Sequence, residues 1–211
     1  MLASAQLGTL LQVALVVGPV AGYFLVLGLL NSRRTPQMLP GGLDLAILLT
    51  ALSPVLVIPA MQWTGEPLAV LIAAAGVIGG IAAWPGRAPC WVIYNLSARQ
   101  ARQAVADGLA DLGEPAEATA TGFDLPARRA RVAVSTFPLL RNATVRLDAR
   151  HGEFACRLAG CIQDRLDRHE VTPSPMAVSL LLVATGMLVA PLAMLAPQAD
   201  EIVRLLTNLL P

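Results

Sequence analysis

Four long apolar runs without a charged side chain constrain this chain more than any other feature. They are Thr9–Leu30, Leu45–Met61, Pro67–Trp84 and Met176–Leu195. A helix needs about 20 apolar residues to cross roughly 30 Å of hydrocarbon, and a helix satisfies its own backbone hydrogen bonds in lipid. The sequence therefore predicts an integral membrane protein with four transmembrane helices: 1–86 holds the first three (about 9–30, 45–61 and 67–84), and 174–197 holds the fourth.

The composition supports this prediction and excludes several kinds of enzyme. Of the 211 residues, 55% are hydrophobic and 14% are charged, and the mean hydropathy is +0.63. All 15 basic residues are arginines, so the chain contains no lysine. Schiff-base chemistry and the phosphate-binding lysine of P-loop proteins are therefore excluded.

The distribution of arginines predicts the orientation. Arg33 and Arg34 lie in the first loop and twelve more lie in 87–173, so with four spans all fourteen share one side, and only Arg204 lies on the other. The positive-inside rule makes the arginine-rich side cytoplasmic, and Arg33, Arg34 and Arg87 carry most weight because they flank the apolar runs. We expect an inner (plasma) membrane protein with both termini outside.

The segment 87–173 is long enough to fold as a soluble domain. Ser97 is a candidate N-cap for its first helix and Gly113 a stop signal. The expected elements are a strand at Trp91–Leu96, a helix at Ala98–Leu112, strands at Glu117–Phe123, Ala130–Phe137 and Ala143–Ala149, and a helix from Gly152 to about His169.

The order of these elements, β-α-β-β-β-α, predicts a small α+β cytoplasmic domain with two helices on one face of a mainly antiparallel sheet. The arrangement is similar to a ferredoxin-like fold without the closing strand. This likeness is architectural and implies no function. After Pro197, the segment 198–211 alternates apolar and polar residues and predicts an amphipathic surface helix.

Small residues at four-residue spacing predict where helices pack. Gly18 and Gly22 form one such pair and Gly76 and Gly80 another, which lets backbones approach closely. The pairs serve packing within the chain, or contact with a protein partner or a second copy. Asp44, after two glycines, is placed to cap the second helix.

The densest basic cluster is Arg128, Arg129 and Arg131, which either contacts anionic lipid head groups or forms a solvated turn. Across 87–173, twelve arginines are balanced by ten acidic residues. This balance does not fit a nucleic-acid binder.

We find no pattern that specifies catalysis, and predict no catalytic residue, cofactor or metal. Cys156 and Cys161 are five residues apart on a helix, and no ligand spacing typical of zinc links Cys90, His151 and His169 to them. The charged cluster Asp164–Glu170 offers acids and bases, but a solvated helix face explains it as well.

Two functions remain. The first is a non-catalytic accessory or scaffold component whose domain docks a partner. The alternative is small-molecule transport or sensing at a polar cavity between the helices, for which the candidates are Gln12, Tyr23, Thr50, Ser53 and Thr185. An enzyme built on the Asp164–Glu170 cluster ranks last.

Overall fold

The computed structural model describes residues 2–83, 88–138, 141–148 and 152–200, together with positions 203 and 207. The fold is mostly helical, with a small antiparallel sheet. The helices are α1 (Leu2–Ser32), α2 (Gly41–Thr64), α3 (Pro67–Ala83), α4 (Ala98–Asp111), α5 (Gly152–Asp167) and α6 (Pro175–Leu195). The strands are β1 (Gln37–Pro40), β2 (Cys90–Tyr94), β3 (Glu117–Thr119), β4 (Gly122–Leu125), β5 (Ala130–Phe137) and β6 (Asn142–Leu147).

Among the described residues, three helical stretches are long and apolar enough to cross a membrane: Thr9–Ser32, Gly41–Thr64 and Pro175–Gln198, each of 24 residues. The predicted third span is helical over its described residues Pro67–Ala83, and these 17 residues extend about 25 Å. A fourth crossing stays a prediction. Most of the predicted tail helix, including Ile202 and Leu209, lies outside the described residues, as do Trp84, Arg87 and His151.

The long helices form an open row. The most extensive helix contact joins α1 to α6, α2 and α3 form a hairpin, and a smaller contact joins α1 to α2. Leu68, Ile72 and Val77 of α3 are exposed. The apolar helices therefore keep large faces that are not covered by the described part of the chain.

The sheet contains a strand that the sequence analysis missed. Its order is β1-β2-β6-β5-β4-β3 and every neighbouring pair is antiparallel. Gln37–Pro40, between α1 and α2, pairs along its whole length with Trp91–Tyr94. The segment 87–173 thus supplies five strands, and the first loop supplies the sixth.

The five strands agree with the prediction except in one place. The single strand expected at Glu117–Phe123 is wrong, because β3 and β4 are separate strands of a hairpin that turns at Ala120 and Thr121. At the start of β4, Gly122 lets β5 approach closely: an added Cβ would lie 1.9 Å from the carbonyl oxygen of Val132 on β5.

Helices α4 and α5 pack on one face of the sheet, as predicted. Ser97 and Gln100 form a capping box at the start of α4, and Gly113 ends it in the left-handed region at φ 67°. The core between helices and sheet is apolar and fully buried in its centre; it includes Val105, Leu109, Val132, Val145, Leu147, Leu158 and Ile162.

Candidate functional site

The second face of β2 packs on the long helices, and this region, which we call the junction, is our candidate site. Along β2, Trp91 and Ile93 point to the core with α4 and α5, whereas Val92 and Tyr94 point the other way. Val92 and Tyr94 form a cluster with Leu27 of α1, against which Tyr23, Phe24, Leu30, Leu39 and Leu180 pack. One strand therefore belongs to two cores.

Asp44 and Tyr94 form the central polar contact of the junction. The Tyr94 hydroxyl donates a hydrogen bond to Oδ1 of Asp44, and only 1% of Tyr94 is exposed. Burial, and then the hydrogen bond to Asp44, raise the pKa of the Tyr94 hydroxyl well above its ordinary value of 10.0. The phenol therefore stays protonated and acts as a donor.

The predicted capping role of Asp44 is wrong. Helix α2 begins at Gly41, three residues before Asp44, and its N-cap residue Pro40 has no side chain that can cap. Asp44 instead lies in the first turn of α2, where the helix dipole favours a negative charge. The glycines that suggested a preceding loop are the first residues of the helix itself, and Gly41 lies close to Cys90, whose Sγ would be 2.9 Å from an added Cβ.

Backbone hydrogen bonds tie three further segments to the junction. Asn95 Nδ2 donates to the carbonyl oxygen of Arg33 at 2.8 Å, and Asn95 itself is buried in a left-handed conformation at φ 60°. Val171 N donates to the oxygen of Arg34 at 2.8 Å, and Ser174 N donates to the oxygen of Asn31 at 3.2 Å. The end of α1, the end of β2 and the start of α6 are thus linked directly.

Cys90, at the start of β2, is a half-buried thiol beside the junction. Burial raises its pKa; Arg146, its partner across the sheet, lowers it, and Asp44 raises it. A thiol with a raised pKa is a weak nucleophile.

The five polar residues considered for a cavity do not gather at one place. Of these five, Tyr23 and Thr50 line one groove of about 380 Å³ between α1 and α2 in the described part of the chain. The hydroxyls of Thr50, Ser53 and Thr185 each donate to a carbonyl oxygen of their own helix, and Gln12 is exposed. The groove is mainly apolar; its lining is Pro19, Gly22, Tyr23, Val26, Leu43, Ala46, Ile47, Thr50 and Ala51.

The predicted packing glycines lie in open positions. An added Cβ at Gly18, Gly22, Gly76 or Gly80 would meet no described atom of another element within 4 Å. At Gly28, by contrast, it would lie 2.8 Å from Cγ of Leu181 on α6. A role of Gly18, Gly22, Gly76 and Gly80 in self-association or partner binding stays a prediction.

The small residues at the contact between α1 and α6 recur every seven positions rather than every four. Ala21 and Gly28 lie seven apart on α1, and Ala177 and Ala184 lie seven apart on α6. The three alanines are at most 1% exposed. This heptad spacing was the signal in the sequence that the search for four-residue spacing overlooked.

The three clustered arginines do not form one patch. Arg128 donates to Glu114 through Nε at 2.6 Å and lies 4.3 Å over the Phe154 ring, on the side of α5. Arg131 pairs with Asp124 at 3.2 Å on the opposite face of the sheet. Arg129 is exposed in a left-handed turn at φ 47°. Contact with lipid head groups stays a prediction for Arg129 and Arg131 in particular.

The charged cluster at the end of α5 takes part in ordinary surface contacts. Arg165 forms a bidentate ion pair with Asp111 at 2.6 and 2.8 Å, and Gln163 donates to Asp167 at 2.7 Å. No group of three potential metal ligands occurs among the described residues. Cys161 is half-buried and Cys156 is exposed.

No protein-family model, curated protein or solved structure matches this chain.

Proposed function

We propose that this chain is a non-catalytic integral protein of the inner membrane, an accessory or scaffold component whose α+β domain docks a protein partner on the cytoplasmic side. One observation carries this proposal: β1, which directly joins α1 to α2, is a strand of the domain's own sheet. A domain on flexible linkers could swing, but a domain whose sheet includes the loop between two membrane helices is held in a fixed orientation.

A fixed orientation suits a scaffold. A rigid platform presents its surface to a partner without the entropy cost of ordering on binding. The junction adds further ties, since Tyr94 donates to Asp44 on α2 and Asn95 donates to Arg33, the residue after α1.

The connectivity supports the proposed four-span topology. The end of α1, the start of α2 and the start of α6 all contact the sheet, so these three ends lie on one side. Helix α2 leads away from the sheet, and the strand that follows α3, β2, belongs to the sheet again. Helix α3 therefore has to bring the chain back to the side of the sheet. We propose that α3, although only 17 residues long, completes this return across the bilayer.

The length of α1 fits the same arrangement. Its 31 residues extend about 46 Å, which exceeds the roughly 30 Å of a hydrocarbon core. Its last turns, which include Leu27 and the buried Asn31, pack on β2 and on the segment before α6. We place these turns above the hydrocarbon, where a buried polar side chain is tolerated.

Mild extraction tests the docking function. The C-terminally tagged chain is expressed at native level, extracted in mild detergent, and the proteins that co-elute at stoichiometric level are identified by mass spectrometry. We expect one defined partner. A chain that elutes alone or only with copies of itself contradicts the docking function.

Two exposed aromatic residues provide a matched pair of variants. Phe137 is 51% exposed on the sheet, and Trp63 is 93% exposed at the far end of α2. If the partner docks on the domain, Phe137→Ser weakens co-elution and Trp63→Ser does not. Loss of co-elution in Trp63→Ser alone would indicate that the partner docks on the helices.

The alternative, small-molecule sensing or transport, draws support from the groove between α1 and α2, where Tyr23 and Thr50 meet.

A further inference from the structure

The groove between α1 and α2 is large enough for a ligand and suits an apolar one. Its volume of about 380 Å³ lies within the roughly 300–1,000 Å³ of ligand sites. Apart from Tyr23 and Thr50, all lining residues are apolar, and the Thr50 hydroxyl already donates to the oxygen of Ala46. A polar solute would find few partners here, whereas a hydrocarbon chain needs none.

The shape of the groove depends on small residues. Pro19 and Gly22 of α1 and Ala46 and Ala51 of α2 line it. Gly22 packs against no described atom of another element, because an added Cβ would have open space for 4 Å. Its missing side chain therefore contributes to the volume of the groove rather than to a helix contact.

A carboxylate lies beside the groove: Asp44 follows the lining residue Leu43 in the first turn of α2 and precedes Ala46 and Ile47, although it does not line the groove itself. Asp44 lies two turns before Ala51 on the same side of α2, and its carboxylate interacts electrostatically with Tyr23, which lines the groove. Oδ1 of Asp44 accepts the hydrogen bond from Tyr94. A carboxylate accepts through both oxygens, so Asp44 can bind a second donor while it holds Tyr94.

We propose that the groove binds one acyl chain of a phospholipid whose head group carries an amine, with the ammonium contacting Asp44. The charges are complementary, because a carboxylate beside an apolar groove favours a cationic amine and repels an anionic head group. Phosphatidylethanolamine has this chemistry and phosphatidylglycerol lacks it. The bound lipid would contact α1, α2 and, through Asp44, the sheet.

This inference rests on the proposed membrane location but not on the docking of a partner. Recovery of each variant in the membrane fraction is therefore measured first, so that a failure of insertion is distinguished from a failure of lipid binding. Co-eluting proteins and co-eluting lipids are separate readouts of the same preparation.

The chain offers a matched pair of variants for the groove. Gly22→Leu fills the groove, and Gly76→Leu places the same side chain at an equally open position on α3, outside the groove. The delipidated full-length chain is incubated in detergent with phosphatidylethanolamine, and bound lipid is counted by native mass spectrometry. We expect Gly22→Leu to lower the apparent affinity about tenfold and Gly76→Leu to leave it unchanged. Equal binding by the wild type and Gly22→Leu overturns the proposal.

The head group is tested at Asp44. With phosphatidylethanolamine and phosphatidylglycerol in equal amounts, the wild type should prefer the amine. Asp44→Asn keeps the size of the side chain and removes the charge, so this preference should disappear while binding of the acyl chain persists. A wild type without preference, or an Asp44→Asn variant that retains it, overturns the assignment of the head group.

Discussion

Tyr94 and Asp44 are 50 positions apart in the chain, and the hydrogen bond between them joins the α+β layer to the long helices. Tyr94 is the last residue of β2, near the start of the segment 87–173, and Asp44 belongs to the first turn of an apolar helix. The tyrosine is almost fully buried and Asp44 is half-buried, so the bond is partly shielded from water. The bond is therefore a sensitive point at which to test how the two layers are coupled.

Tyr94→Phe should destabilise the protein by about 1–3 kcal/mol, because it removes the donor and leaves a partly buried carboxylate without it. The measurement is chemical or thermal unfolding in detergent, and the spectroscopic signal of the sheet is used to monitor it. Phenylalanine keeps the ring of Tyr94, so little packing is lost.

A double-mutant cycle isolates the bond. Asp44→Asn and the double variant with Tyr94→Phe are measured beside the single variant, and a coupling of about 0.5–3 kcal/mol is expected for groups in contact. Strictly additive effects would mean that the bond contributes nothing to stability.

Gly28→Leu should weaken the contact between α1 and α6. An added Cβ already lies 2.8 Å from Leu181 Cγ and 3.3 Å from the Leu181 backbone nitrogen, so a larger side chain forces the helices apart. Overpacking of this kind costs about 1–3 kcal/mol, which would be seen as a lower unfolding temperature.

Two further variants show whether the contact itself is responsible. Leu181→Ala makes room for the new side chain and should restore part of the stability that Gly28→Leu loses. Gly18→Leu, in open space on the same helix, should lower the stability little. Equal loss in Gly18→Leu and Gly28→Leu would point to helix propensity or insertion instead.

The sequence predicted elements well where a local signal was strong. The N-cap at Ser97, the stop at Gly113 and the strands β5 and β6 each depend on neighbours in the chain. The long apolar helices were equally clear, because their length and lack of charge need no tertiary information.

The junction could not be predicted, because its contacts are not local. Gln37–Pro40 has only four residues and ends in proline, so nothing in it resembles a strand until β2 lies beside it. Asp44 follows two glycines and therefore resembles a cap, and only the position of Tyr94 reveals its partner. The groove depends on the separation of α1 and α2, which no spacing within either helix encodes.

The ion pair of Asp111 and Arg165 should make stability depend on acid pH. The hydrogen bond from Arg165 holds the pKa of the Asp111 carboxyl below its ordinary value of 3.8. A lowered folded-state pKa gives a stabilisation that is present above 3.8 and is lost as the pH falls through the folded-state value. Wild type and Asp111→Asn should therefore differ at neutral pH and converge in acid.

Unfolding is measured from pH 7 to pH 3 at low and high salt. Both side chains are more than a third exposed, so the difference should be small and should shrink in salt. Glu170→Gln, which removes a carboxylate near the end of α5, is the control for net charge. A stability difference between the wild type and Asp111→Asn that widens below pH 4 would contradict the direction of the pKa shift.

The segment 88–173 should fold poorly when it is excised from the chain. Without β1 and the long helices, β2 becomes an exposed edge strand, and Val92 and Tyr94, now at most 7% exposed, lose their apolar partners. Free edges with apolar faces promote association. Size-exclusion chromatography of the excised segment should therefore show large species rather than a monomer.

Polar substitution on the uncovered face should reverse this behaviour. Val92→Thr combined with Tyr94→Thr should shift the excised segment towards a monomer, because both side chains lie on the face that excision exposes. Val134→Thr is the matched control; Val134 lies in the core beneath α4 and α5, so the change should destabilise without improving solubility. A monomeric, cooperatively unfolding wild-type segment would show that the domain is complete without β1, and the loop between α1 and α2 would then be an accessory strand rather than part of the folding unit.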